Sequence, residues 1–264
     1  MTTGSNRGAW LAWYVEAGSD EAIDEFPVDR FALSGEKSAG PAPPTDPPVL
    51  PESNLVARDA LEAAARELAL SAQTLEDLAG KFAGFDGCDL KNTATNFVFG
   101  DGNPDARTMF IGEAPGAEED RQGVPFVGPA GRLLDLMLAA IGLDRSDVYI
   151  TNILPWRPPG NRNPTDAEAT ACMPFIERHI ELVGPQILIP VGGTAAKALL
   201  NTREGIMKLR GRWLTYSTPR IEVVPARAIL HPAYLLRSPA QKRDTWHDLI
   251  AIRRRLDEDG DAGK

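Results

Sequence analysis

From about Val98 onward, short apolar runs alternate with segments of helical spacing. The runs at Thr108–Ile111, Val148–Ile153, Gln186–Val191 and Ile221–Ala226 are near-continuous, which predicts strands buried on both faces. Between them, Ala130–Ile141, Thr165–Leu182 and Thr194–Leu200 carry apolar residues at helical spacing, and a last helical pattern covers about Ser238–Leu256. The alternation predicts an α/β fold, three-layer α/β/α, around a central four-stranded, mainly parallel sheet. Ligands of such sheets bind beyond the carboxyl ends of the strands. The segments following the four runs are GEAPG (Gly112–Gly116), NILPWRPPGNR (Asn152–Arg162), GGTAAK (Gly192–Lys197) and HPAYLLR (His231–Arg237).

The first part of the chain reads differently. Trp10, Trp13, Tyr14 and Val15 form an apolar helical stripe within residues 8–24, and residues 34–53 are rich in Pro, Gly and Ser, the composition of a linker. Asn54–Leu70 is Ala- and Leu-rich at helical spacing, and a second helix starts at Ser71 and runs to about Phe82, with Thr74 and Asp77 fitting an N-terminal cap. The layout expected is an N-terminal helical extension (residues 1–33), a Pro-rich linker (34–53), the α/β domain (54–256) and an acidic tail (257–264).

No apolar run approaches the roughly 18–20 residues of a membrane helix, and no secretory pattern opens the chain. Two cysteines, Cys88 and Cys172, rule out a disulfide framework, so a cytoplasmic protein without membrane contact is expected. A net charge of −9 argues against a polyanionic partner until its distribution is considered. Residues 1–84 carry −8 and residues 85–150 carry −6, whereas 151–256 hold 16 Lys/Arg against 8 Asp/Glu. The back half can face a nucleic acid while the front half faces water; a mixed solvated surface fits the same numbers.

The loop after the first run, GEAPGAEEDRQGVPFVG (Gly112–Gly128), matches neither the dinucleotide fingerprint nor a Walker phosphate loop, and it carries Glu113, Glu118, Glu119 and Asp120. Carboxylates at a strand end orient water or stabilise a developing cation; the alternative is that Glu113 caps the turn and the others are solvated. His231 precedes Pro232, which disfavours a helical conformation there, so its imidazole either donates to a developing oxyanion or serves as a structural donor. Asn152 ends the second run, where a carboxamide reads a pyrimidine edge or merely terminates a strand, and Phe126 is a core anchor or a stacking platform. His179 and His247 lie in helical patterns and are assigned no role. With no C-x-x-C, no H-x-x-x-H and no G-x-S-x-G, metal ligation and nucleophilic hydrolysis find no support.

Taken together, GEAPGAEED…GVPFVGPAGRLL, TNI…RPPGNRNPT, GGTAAKALL and HPAYLLR resemble the uracil-DNA glycosylase superfamily, most closely its fourth family, over roughly residues 85–256. The resemblance implies excision of uracil from DNA by hydrolysis of its N-glycosidic bond, with uracil-containing DNA as the partner and a monomeric enzyme. Glu113 then corresponds to the carboxylate that positions water and stabilises the sugar cation, and His231 to the donor to uracil O2. Phe126 corresponds to the stacking aromatic and Asn152 to the amide that reads the base, with Gly112 and Ala114 lining the uracil site. Glu119 falls where the family sets a side chain against C5, which excludes thymine's methyl. DNA contacts are implied for Leu235 and Arg237, which enter or prop the duplex, for the amides of Gly193 and Thr194 on a phosphate, and for Arg157, Arg162 and Lys197. Residues 1–53 are read as a docking helix on a flexible tether or as an acidic solubilising arm.

The resemblance breaks at one place. The fourth family holds a four-iron, four-sulfur cluster on four cysteines, of which this chain keeps the second and fourth, Cys88 and Cys172; Phe85 and Trp156 stand at the other two. The chain therefore resembles a cluster-less branch known from some bacteria, with no cofactor expected and two large side chains filling the cluster's volume. The loop after Asn152 also lacks the histidine of relatives that trap uracil-DNA covalently, so ordinary turnover is expected. The rival readings are excision of another deaminated base, hypoxanthine or xanthine, and a non-catalytic uracil-DNA-binding module.

Overall fold

The computed structural model describes residues 52–261; the stripe expected within residues 8–24 and nearly all of the expected linker lie outside the described residues. Two helices open the described chain, α1 (Glu52–Leu70) and α2 (Leu75–Gly84). The second starts four residues later than the sequence predicts, because Thr74 is its cap: the Thr74 hydroxyl accepts from the Asp77 amide at 3.2 Å.

A six-stranded sheet follows, ordered β1-β3-β2-β4-β6-β5. Its centre is the predicted set, β3 (Val148–Asn152), β2 (Thr108–Gly112), β4 (Ile187–Pro190) and β6 (Ile221–Ala226), paired in parallel. Two antiparallel edges correct the four-stranded expectation. β1 (Asp101–Gly102) lies against β3, and β5 (Leu214–Thr218) forms a hairpin with β6.

Side chains of successive strand residues leave opposite faces, and the sheet sorts them accordingly. Met109, Ile111, Tyr149 and Leu188 join a core with Ala65 and Ala69 of α1, Phe82 of α2 and Phe175 of α5 (Asp166–Val183). Phe110, Ile150, Ile187 and Ile189 join the opposite core with Leu134 and Leu138 of α4 (Pro129–Ala139) and Ile252 of α9 (Lys242–Asp261). Between these lie the short helices α3 (Ala117–Gln122), α6 (Gly193–Leu199), α7 (Ile206–Leu209) and α8 (Pro232–Arg237). The acidic residues expected as a tail instead extend α9 through Asp261.

The register brings the carboxyl ends together. Gly112 lies opposite Asn152, and the pairing continues past the strands as the amides of Ile153 and Leu154 donate to the carbonyls of Gly112 and Glu113 at 2.9 and 3.1 Å. On the other side the Val191 amide donates to Ile111 O and the Gly192 amide to Ile229 O, at 2.8 and 2.9 Å. Residues 227–230 thus prolong the path of β6, and His231 stands five residues beyond the strand instead of immediately after it.

Candidate active site

A cavity of about 400 Å³ opens at these strand ends, lined among others by Glu113, Phe126, Asn152, Gly192, His231 and Arg237. Three sequence-separated loops thus deliver Glu113, Phe126, Asn152 and His231 to one place, with Ala114, Glu119 and Arg162 from the same loops and Gly193 from a fourth. Pro115, Pro158, Asn161 and Tyr234 also line it and were not singled out from the sequence; Tyr234 sits inside the HPAYLLR motif, where its aromatic character was a usable signal.

Glu113 is half-buried, and among the described residues no group hydrogen-bonds its carboxylate. The anion therefore keeps its acceptor capacity for something in the cavity. Asn152 is 3% exposed, and its amide likewise has no hydrogen bond among the described residues. Its polar atoms are not among the sealed, unpartnered ones, so they open to the cavity and are free to pair with a ligand there. Gly112 lets the two neighbours approach: a Cβ there would stand 2.6 Å from Phe126 Cζ and collide with Asn152 Oδ1.

His231 caps α8. Its Nδ1 accepts from the Ala233 amide at 3.1 Å, which leaves the ring proton on Nε2. Burial pushes its pKa down to about 4, and the Arg237 charge adds to this, against a smaller opposing effect of Glu119. At neutral pH the ring is an uncharged N–H donor. Gly192, at φ 93°, passes within 3.1 Å of the His231 Cβ position if given a Cβ of its own, so glycine is required for the close packing.

The Phe126 ring is 5% exposed and lies 5.7 Å from the His231 ring at an interplanar angle of 28°. Its backbone has φ 54°, a left-handed conformation that costs a non-glycine residue on the order of 1 kcal/mol or more. Glu119 helps to hold it there. One carboxylate oxygen accepts from the Val127 and Gly128 amides at 2.9 and 2.8 Å, the other from the Gly116 amide at 3.1 Å. The Glu119 carboxylate is therefore occupied by the loop's own backbone. Asp120 is structural too, accepting from the Thr95 and Asn96 amides, and Glu118 is paired with Arg121.

Two of the expected DNA contacts need revision. Leu235 is 1% exposed and packs into the core beneath α8, so it cannot enter a duplex; its neighbours Leu236 and Tyr234 are 45% and 36% exposed. One step along a helix turns a side chain by about 100°. Arg162 is engaged by Glu168 at 2.6 and 2.9 Å, which offsets its charge. Lys197 and Arg237 are exposed, while Arg157 bonds the neutral Asn161 and keeps its charge.

The cysteines lie away from the cavity, on the α5 side of the sheet. Cys88 and Cys172 are 2% and 0% exposed, and the hydrogen bond to Cys88, together with burial, holds the Cys172 thiol well above its ordinary pKa. Phe85 packs 5.0 Å from the Phe175 ring, and Trp156 5.5 Å from Phe82, which stacks on Phe175 at 4.2 Å. Two thiols and two aromatic rings do not fit a four-iron, four-sulfur cluster, and among the described residues no three His, Cys, Asp or Glu side chains gather to hold a metal.

The class of enzyme to which this α/β fold belongs, the base-excision glycosylases, comes from the comparisons. The family model of the Uracil DNA glycosylase superfamily matches residues 99–250. The chain is 41% identical over 185 residues to the Type-4 uracil-DNA glycosylase of Archaeoglobus fulgidus, covering 68% of this chain and 92% of that one. It is 42% identical over 152 residues to the Type-4 enzyme of Thermotoga maritima, covering 57% of this chain and 77% of that one. The Type-4 enzyme of Sulfurisphaera tokodaii is 40% identical over 174 residues, with 63% and 77% covered. The chain belongs to the uracil-DNA glycosylase superfamily.

Proposed function

We infer that this protein is a uracil-DNA glycosylase, a repair enzyme that turns uracil out of DNA and hydrolyses its N-glycosidic bond, leaving an abasic site. The observation that carries the assignment of its residues is the meeting of an unpaired carboxylate, an unpaired carboxamide, an aromatic ring and a neutral imidazole around one strand-end cavity.

Cleavage of the bond leaves an oxocarbenium-like sugar and a uracil anion, so catalysis needs negative charge at the sugar and a donor at the base. We assign the first to Glu113, which also orients the attacking water, and the second to the Nε2–H of His231. A neutral donor suits the anion because it need not give up its proton to stabilise it. Asn152 pairs with the pyrimidine edge, and its donor–acceptor order distinguishes uracil from cytosine. Phe126 stacks on the base, offsetting part of the few kcal/mol that unstacking costs. Gly112 and Ala114 leave backbone room for it. Glu119 acts on selectivity through the loop it ties together, since its carboxylate is already bonded.

Lys197, Arg157 and Arg237 with the amides of Gly193 and Thr194 would hold the phosphates, and exposed Tyr234 and Leu236 replace Leu235 as the apolar groups offered to the duplex. Among the described residues no helix is long and apolar enough to cross a membrane. We place the enzyme in the cytoplasm as a monomer, with residues 54–256 as its catalytic domain and residues 1–33 as a docking segment tethered by the Pro-rich stretch.

The test is a duplex oligonucleotide with a single uracil, incubated with the protein and treated with alkali. Strand scission at uracil is expected. Cleavage at inosine but not uracil would transfer the site to another deaminated base, and tight binding without scission would make it a binding module.

A further inference from the structure

Arg145 lies in the connection from α4 to β3, outside the cavity, yet every arm of its guanidinium is committed to the segment that carries Phe126 or to groups that brace it. Nη1 donates to the carbonyl of Pro125 at 3.2 Å and Nη2 to the carbonyl of Phe126 itself. Nη1 also pairs with Asp101 of β1 at 2.6 Å, and Nε with Asp135 of α4 at 2.8 Å. From the other side the Glu119 carboxylate takes the amides of Val127 and Gly128. Consecutive peptide groups are thus gripped by their carbonyls on a cation and by their amides on an anion, across the one non-glycine residue with a left-handed backbone in this loop. Gly131 completes the fit, since any Cβ there would collide with the Phe126 carbonyl.

A planar fork is what this geometry requires. Two adjacent carbonyls and two carboxylates approach from different directions, and an ammonium group at the end of a flexible stem cannot meet all four. Nothing about Arg145 suggests contact with a substrate, because it is absent from the cavity lining.

We propose that Arg145 is a positioning residue for base recognition: it fixes the left-handed turn at Phe126 and so sets the plane of the ring on which the extruded base stacks. The proposal rests on the assignment of Phe126 as the stacking platform. It assigns base selection a determinant outside the pocket, on the loop that joins α4 to β3.

A coupling experiment tests it. Single-turnover excision of uracil at saturating enzyme, together with thermal unfolding, is measured for the wild type, Arg145→Lys, Phe126→Leu and the double variant. The expected result is a rate loss of about tenfold or more for Arg145→Lys with the folded state retained, and less than about twofold further loss when the same change is made in Phe126→Leu. Equal losses in the two backgrounds would mean a general structural role and overturn the proposal. So would a wild-type rate in Arg145→Lys alongside an impaired Phe126→Leu. A wild-type rate in Phe126→Leu would instead remove the platform assignment itself, and the proposal with it. If Arg145→Lys does not fold, Asp135→Asn, which loosens the guanidinium without removing it, is carried through the same comparison with the same criteria.

Discussion

Acidification to about pH 5 distinguishes the His231 seen here from an ordinary histidine. With its pKa lowered to about 4 by burial and by Arg237, the ring stays neutral for about 90% of molecules at that pH. With an unperturbed value of 6.5, only about 3% would remain neutral. If the neutral ring is the active form, the two cases differ by about 30-fold in excision rate at pH 5, the equivalent of about 2 kcal/mol in the barrier. The assay is single-turnover cleavage of a uracil oligonucleotide between about pH 5 and pH 8, run beside an NMR titration of the three histidine rings. The rate is expected to lose less than about twofold on His231's account, with the His231 signal unmoved until below about pH 5. Arg237→Gln should raise the ring's pKa, because it removes a positive charge that disfavours protonation. A ring titrating between about pH 6 and 7, with the rate following it and the dependence lost in His231→Gln, would refute the reasoning.

Four further outcomes are expected. Asn152→Asp should lose uracil excision or begin to act on cytosine; unchanged rate and selectivity would remove Asn152 from the site. Gly131→Ala should destabilise the protein by about 2 kcal/mol or more and depress excision, because its methyl group meets the Phe126 carbonyl; a wild-type melting curve would contradict the packing described. His179 is fully buried with a pKa lowered to about 3, so below pH 6.5 the unfolded chain binds a proton that the native one refuses. Native stability should therefore fall by about 1.4 kcal/mol per pH unit, roughly 2 kcal/mol by pH 5, and urea unfolding of His179→Gln should lack that share. Purified protein should be colourless with iron and sulfide well below stoichiometric, and a full complement of both would overturn the reading of Phe85 and Trp156.

The central strands were legible because Thr108–Gly112, Val148–Asn152 and Ile187–Pro190 are buried at every position and so leave unbroken apolar runs. The edges were not. β1 is only Asp101 and Gly102, too short to show a period, and β5 buries only Tyr216 of its five, too faint a pattern to read. Within the site, Glu113 and Asn152 were legible because they stand at the ends of buried parallel strands, where such a sheet does its chemistry, whereas Phe126 and His231 lie farther along and stood out only through the motifs that carry the family resemblance. Arg145 was invisible, since an arginine between two acids in LDRSD reads as solvated until Asp101, Asp135 and two carbonyls are placed around it. Leu235 was misassigned for a related reason: six residues of α8 are too few to show which side of the helix faces inward.

His231 has one further consequence. The nitrogen that caps the start of α8 belongs to the same ring that we assign as the donor to the base, and the helix carries Tyr234, Leu236 and Arg237 on its exposed side. A single proton on that ring would release the Ala233 amide, unfasten the helix start and abolish the neutral donor at once. The start of α8 and the state of the imidazole in the cavity are therefore set by one titration.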